Sequence, residues 1–169
     1  MIEIEFDDRA FVRALSNIAA LGVNAGPLMA ALSEDMHQAV MDNFDAQGRP
    51  QWLGLHPGTI AARSKRGHWP GKILTETGRL KASIQADSGI NYARVGTNEP
   101  YAPIHQFGGK TRPHVIRPRN RKALAFGGRV VKSVNHPGSD IPARPFLQLT
   151  DPDRVRMLET VSSFLRKLI

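Results

Sequence analysis

The sequence predicts an α+β domain in which N-terminal helices precede a mostly antiparallel β-sheet with a long basic hairpin, and a C-terminal helix closes the chain. Three observations carry this. Apolar residues recur at helical spacing near the N-terminus and again near the C-terminus. Short apolar runs separated by glycine-containing turns fill the middle. Hydrophobic residues make up 41% of 169 positions, enough for one core and too many for wholesale disorder, so residues 1–169 read as one domain.

Ile2 to Phe6 alternates apolar and charged residues and reads as a short strand with one wet face. Asp7 or Asp8 can cap a helix whose apolar positions Phe11, Val12, Leu15, Ile18 and Ala19 follow the helical period, with Gly22 as the stop. A second helix spans about Pro27 to Phe44, with Pro27 in its first turn and Leu28, Leu32, Met36, Val40 and Phe44 along one stripe. Strict i+4 spacing drifts around the axis, so the stripe is expected to meet more than one neighbour. Residues 45–80 form an extended loop region punctuated by Gly48, Gly54, Pro57-Gly58, Gly67 and Pro70-Gly71, with room for a short helix from Thr59 to Lys65. From Arg63 to Lys81, six bases (Arg63, Lys65, Arg66, Lys72, Arg79 and Lys81) face a single acid, Glu76.

Ala82 to Asp87 reads as a strand, and Ser88-Gly89 as a hairpin-type turn between Ser83–Ala86 and Asn91–Val95. Tyr101 to Phe107 is a further strand or a strand–helix junction. After a basic loop, Gly108–Arg112, come strands at His114–Ile116, Lys122–Phe126 and Arg129–Val134, with Gly127-Gly128 as a two-residue turn. Residues 110–137 thus make a basic hairpin, an arm that can project, with eight bases and no acid from 110 to 132. The last helix runs from about Asp151 to Leu168, opened by a capping box of Thr150 and Asp153, with Val155, Leu158, Val161, Leu165 and Leu168 as its apolar face.

Enzyme signatures are missing. With no cysteine, thiolate nucleophiles, disulfides and cysteine-ligated metals are excluded. His37, His56, His68, His105, His114 and His136 contain no pair at metal-ligand spacing. Ser33, Ser64, Ser83, Ser88, Ser133 and Ser139 lack a nucleophile elbow. Between Asp45 and Asp151 only Glu76, Asp87, Glu99 and Asp140 are acidic, too few for a carboxylate pair or a two-metal site. Gly48, Gly54 and Gly58 match no phosphate-cradling loop. No catalytic residue, cofactor or metal is therefore expected. No apolar run approaches the roughly 18–20 residues that cross a bilayer, and the acidic N-terminus has none of the marks of a signal peptide, so an intracellular, soluble product without membrane contact is expected.

The net charge of +8 is unevenly spread: residues 1–45 hold eight acids and two bases, residues 46–169 seven acids and 21 bases. An acidic end and a basic remainder suit one copy docking on the next, as head-to-tail rings require. The alternative is a nonspecific nucleic-acid-binding accessory protein using the basic 112–132 segment, with Trp52 and Trp69 beside basic loops. No helix carries a recognition-type row of polar side chains, so sequence-specific readout is not expected.

Four ordered segments carry a resemblance: Asn43 to Leu55 (helix end, glycine turn, then Trp52-Leu53-Gly54-Leu55), Ile73 to Ile84 (with Thr77-Gly78-Arg79-Leu80), Val95 to Gly109 (with Tyr101-Ala102-Pro103-Ile104-His105-Gln106-Phe107-Gly108), and Ile141 to Leu147 (with Arg144-Pro145-Phe146). Together they resemble the phage virion morphogenesis (tail completion) family of Mu-like and related long-tailed phages. A looser likeness holds to neck proteins that carry Tyr-Ala-x-x-x-Glu-Phe-Gly and a Pro-Phe-Leu before the last helix.

The resemblance implies a structural virion protein of the neck or tail without catalytic activity. It would be assembled in the host cytoplasm and act in head–tail joining or tail completion as a homo-oligomeric ring around the DNA channel. Its implied neighbours are connector, head-closure or tail-tube subunits, with DNA passing through without sequence specificity. Family-motif and candidate interface residues are Trp52, Leu55, Thr77, Gly78, Leu80, Tyr101, His105, Gln106, Phe107, Gly108, Arg144, Pro145 and Phe146. Arg112, Arg117, Arg119, Arg121, Lys122, Arg129 and Lys132 are candidates to face the DNA channel or another subunit. Tyr101 and Phe107 are expected to anchor the core, His105 and Gln106 to satisfy buried backbone groups, and Gly108-Gly109 to supply positive φ. Arg144, extended before Pro145, is expected either to clamp the last helix through Asp151 or Asp153 or to reach across a subunit boundary. Phe146 and Leu147 should plug the core, and Trp52 is the expected inter-subunit anchor.

Overall fold

Pro27 sits in the first turn of helix α1 (Gly26–Ala46), where its missing N–H costs nothing. The computed structural model describes residues 2–3, 13, 16, 22, 24–120, 122–126 and 129–168. The expected first helix (Phe11, Val12, Leu15, Ile18 and Ala19), most of the expected Ile2–Phe6 strand, Arg121 and the Gly127-Gly128 turn lie outside the described residues.

All five stripe residues of α1, Leu28, Leu32, Met36, Val40 and Phe44, are buried. Burial of each such side chain contributes about 1.5–3 kcal/mol. The drift of the stripe has the expected consequence, because α1 packs on both the sheet and the C-terminal helix. α1 stops where Gln47 turns left-handed (φ 58°) and Gly48 donates its N–H to Asn43 O at 2.8 Å. A Cβ at Gly48, itself at φ +103°, would overlap the Trp52 indole, so glycine alone lets the chain fold back there.

The loop region contains α2 (Pro57–Lys65), whose N-cap His56 accepts the Gly58 N–H. The expected strand from Ala82 begins later. Gly78 at φ +72° starts a helical turn, α3 (Arg79–Ala82), and Ser83 Oγ closes it by donating to Leu80 O. Strands β1 (Ile2–Glu3), β2 (Gln85–Ser88) and β3 (Ala93–Thr97) then form an antiparallel sheet in the order β1-β3-β2. The register Gln85↔Gly96 through Ser88↔Ala93 places the hairpin turn at residues 89–92.

Tyr101 to Phe107 resolves as a helix, α4 (Ala102–Phe107), because Pro103 falls in its first turn, where proline favours a helix start. After α4 the chain runs out and back as a long two-stranded ribbon built from nested antiparallel pairs. β4 (Gly109–Lys110) pairs β9 (Asp140–Ile141), β5 (His114–Ile116) pairs β8 (Val134–His136), and β6 (Leu124–Phe126) pairs β7 (Arg129–Val131). Among the described residues none of these strands joins the three-stranded sheet. The last pair runs in the register Leu124↔Val131 through Phe126↔Arg129.

Helix α5 (Asp151–Arg166) closes the chain against α1. Its capping box is present: Thr150 donates from both its backbone N and Oγ1 to Asp153 Oδ2, at 2.9 and 2.7 Å. The buried face, however, is Asp153, Met157 and Val161 with Phe164 and Leu165 beside them, whereas Val155, Leu158 and Leu168 are exposed. Asp153 sets this rotation. It is held inward, and the residues four and eight positions on follow it into the core.

Candidate functional site

The segment 142–149 has no regular secondary structure, yet it buries Arg144, Phe146, Leu147 and Leu149. Buried backbone without a ladder needs other partners. Three side chains from the motif segments supply them. Asn43 Nδ2 donates to Phe146 O and Gln148 O, both at 2.8 Å. Trp52 Nε1 donates to Pro145 O at 3.2 Å. Gln106 accepts the Phe146 and Leu147 N–H groups on Oε1, both at 3.0 Å, and donates Nε2 to Leu147 O at 3.1 Å.

These stitches bring three of the four motif segments into one place. The Phe146 ring lies tilted at 5.4 Å from Phe44, which meets Trp52 edge-on at 6.0 Å. The remaining segment supplies Leu80, buried in the same core, while Thr77 is exposed and accepts the Arg79 N–H on Oγ1. Phe146 and Leu147 fill the core as expected. Gly108 is at φ +72°, and a Cβ there would sit 2.7 Å from Ala143 N, so the motif glycine lets the ribbon entry lie against the 141–143 backbone.

Several expected roles are corrected. Trp52 is 6% exposed and belongs to the core of its own chain, because its indole N–H finds Pro145 O there. Tyr101 and Phe107 are 38% and 69% exposed: α4 turns Ala102 inward and Phe107 out. Among the described residues the His105 side chain satisfies no backbone group and its buried Nδ1 has no partner; only its carbonyl is used, accepting the Arg144 N–H at 2.7 Å. Burial, then the charge of Arg144, hold its pKa below the ordinary histidine value. Arg144 is buried but does not clamp α5. Its Nε and Nη2 donate to Leu53 O and Gly54 O, both at 3.2 Å. Leu55 packs partly buried beside the core.

The clamp on α5 comes from Arg49 instead. Its Nη1 and Nη2 reach Asp153 Oδ1 and Oδ2 at 3.1 and 2.9 Å, while Nε donates to Asn43 Oδ1 at 2.8 Å. Burial pushes the Asp153 carboxyl up, but hydrogen bonds from Thr150 and Arg49 outweigh that and hold it below the usual range. Sequence spacing alone does not point to this pair. The signal available was an acid at the third position of a capped helix, which points at its own cap and not at a distant arginine.

The bases of 63–81 are not a free patch. Arg63, Arg66 and His68 converge on Glu76 at 3.2, 2.6 and 3.2 Å, and Lys72 and Lys81 both reach Asp45 Oδ1 at 2.7 Å. Those two lysines hold the Asp45 pKa down to about 2. On the ribbon the opposite holds. Arg112, Arg117, Arg119, Lys122, Arg129 and Lys132 are all exposed, and none has an ion pair among the described residues; Arg121 lies outside them. Among the described residues there is also no group of three potential metal ligands, and no helix long and apolar enough to cross a membrane.

The model of the phage virion morphogenesis family matches residues 6–166. The chain belongs to that family. It is 37% identical over 172 aligned positions to the "Mu-like prophage FluMu G protein 2" of Haemophilus influenzae, covering all of this chain and 99% of that one. It is 38% identical over 82 positions to the "Putative capsid assembly protein G" of Escherichia phage Mu, covering 48% of this chain and 53% of that one. No solved structure matches it. As a phage virion morphogenesis protein the chain has a structural, non-enzymatic role in phage assembly. In this family member the motif residues Asn43, Trp52, Gln106 and Phe146 build the fold.

Proposed function

We propose that this protein is a structural subunit of the phage neck, acting in head–tail joining or tail completion as a homo-oligomeric ring around the DNA channel. Residues 1–169 act as one morphogenesis domain, with 45–80 as its loop region and 110–137 as an arm. Its neighbours are connector, head-closure or tail-tube subunits; it is assembled in the host cytoplasm and resides in the virion.

The ribbon carries this reading. A two-stranded ribbon is at best marginally stable alone, and this one is mostly exposed, with described cations that have no ion pair among the described residues. A neighbouring subunit on its strands, or DNA phosphates along its bases, supplies what the single chain lacks. DNA contact of this kind is electrostatic and reads no sequence.

The test is complementation of a phage lacking the gene with a chain in which a short Gly-Ser turn replaces 112–134. The expected result is unjoined heads and tails with the variant still folded; normal particle yield contradicts the reading. The same exposed cations favour the second reading, a nonspecific nucleic-acid-binding accessory protein. That reading requires measurable DNA binding whose affinity falls steeply with salt, and lack of binding at low salt removes it.

A further inference from the structure

Arg144 is a buried cation without an anion among the described residues. It is 5% exposed, its guanidinium is held by the Leu53 and Gly54 carbonyls, and no carboxylate lies within 4 Å among the described residues. Carbonyl dipoles leave the full charge in place, and a buried charge without a counter-charge is unfavourable. Arg144 lines an open cleft of about 840 Å3, together with the start of α2, His105 on α4 and residues 139–142. His105, whose buried Nδ1 also has no partner among the described residues, lines the same cleft. Arg63, which also lines the cleft, is already paired with Glu76. Asp140, the one acid lining the cleft, is exposed and lies beyond 4 Å of both arginines. The cleft is rimmed by Leu53, 69% exposed, with Phe107, equally exposed, two residues beyond His105.

The outer face of α5 has the complementary character. Val155 and Leu158 are 55% and 37% exposed, and Glu159 stands beside them, one turn beyond Val155. Among acids with described side chains, only Glu34, Asp140 and Glu159 form no ion pair. Of these, Glu159 alone neighbours two exposed apolar side chains on its own helix, Val155 and Leu158, at the edge of a groove that it lines with Arg156 and Lys167.

We propose that the Arg144 cleft receives Glu159 of the partner subunit, a second copy of this chain, with the outer face of its α5 covering Leu53 and Phe107. The two patches differ, so the contact is head-to-tail and propagates around a ring. The inference rests on the proposed homo-oligomeric ring and names the surfaces that close it.

The chain has no cysteine, so a single thiol can be placed on each surface. Leu53→Cys and Val155→Cys both alter exposed side chains and leave the core intact. The two full-length variants are mixed in equal amounts at high concentration and low salt, then oxidised. The expected product is the mixed dimer, in about tenfold excess over either symmetric dimer, and Glu159→Gln in the Val155→Cys chain lowers its yield by about tenfold. A random ratio of the three dimers, or no effect of Glu159→Gln, overturns the proposal. Sedimentation of the unmodified chain separates the two levels. Large oligomers with a random disulfide pattern leave the ring and remove this interface, whereas a strict monomer up to ~1 mM removes both.

Discussion

Arg49 and Asp153 are joined through both carboxylate oxygens, at 3.1 and 2.9 Å, across 104 residues of sequence. The pair ties the turn after α1 to the first turn of α5, and Asp153 is almost wholly buried. Removing one partner of a buried ion pair leaves an uncompensated charge or an empty hydrogen-bonding site. Arg49→Met and Asp153→Ala should each lower unfolding free energy by about 3–5 kcal/mol, and the double variant by less than their sum. Urea unfolding of the three variants measures this.

Gln106 and Phe107 are neighbours with opposite roles. Gln106→Ala strands the N–H groups of Phe146 and Leu147, and each buried unsatisfied group costs about 1–3 kcal/mol. Phe107→Ala removes an exposed ring and should change stability by no more than about 0.5 kcal/mol. Thermal unfolding of the two variants side by side shows whether this motif segment is read as fold or as surface.

Trp52 carries a similar prediction. Because it packs on Phe44 and bonds Pro145 O, Trp52→Ala should destabilise the isolated chain by about 3–5 kcal/mol. A residue that served only a subunit contact would leave the isolated chain's stability nearly unchanged.

The acid limb of stability has a sign fixed by two carboxylates. Asp45 is held down to about 2 by Lys72 and Lys81, and Asp153 is also lowered. A carboxyl whose folded pKa lies below its unfolded value of about 3.9 contributes fully above that pH and loses the contribution as pH falls toward the folded value. Stability should therefore decline between about pH 4 and pH 2, and Asp45→Asn should flatten part of that decline. His105 adds a second window. Its folded pKa is depressed, so the unfolded chain binds its proton first and stability falls as pH drops below about 6.5. Chemical denaturation across pH, with His105→Gln as the comparison, reads this directly.

Local patterns were legible in the sequence. The α1 stripe and the Thr150–Asp153 cap both follow from spacing within one element. The misread features depend on partners far away in the chain. α5 carries two apolar stripes, Val155 with Leu158 and Met157 with Phe164, and periodicity alone cannot rank them. The choice falls to Asp153, whose partner Arg49 lies in another segment. In the same way, Trp52 on a loop reads as costly surface until Pro145 and Phe44 are known to cover it. The motifs identified the family but not their own job, since stitching an irregular buried segment needs the fold to be visible.

The most direct test of the account is cryo-electron microscopy of the intact head–tail junction of a phage encoding this chain. A ring of copies around the DNA channel, with the 110–137 ribbon laid on a neighbouring subunit or turned toward the DNA, is the predicted result. A junction that lacks the chain, or that holds it as isolated copies away from the channel, contradicts the account.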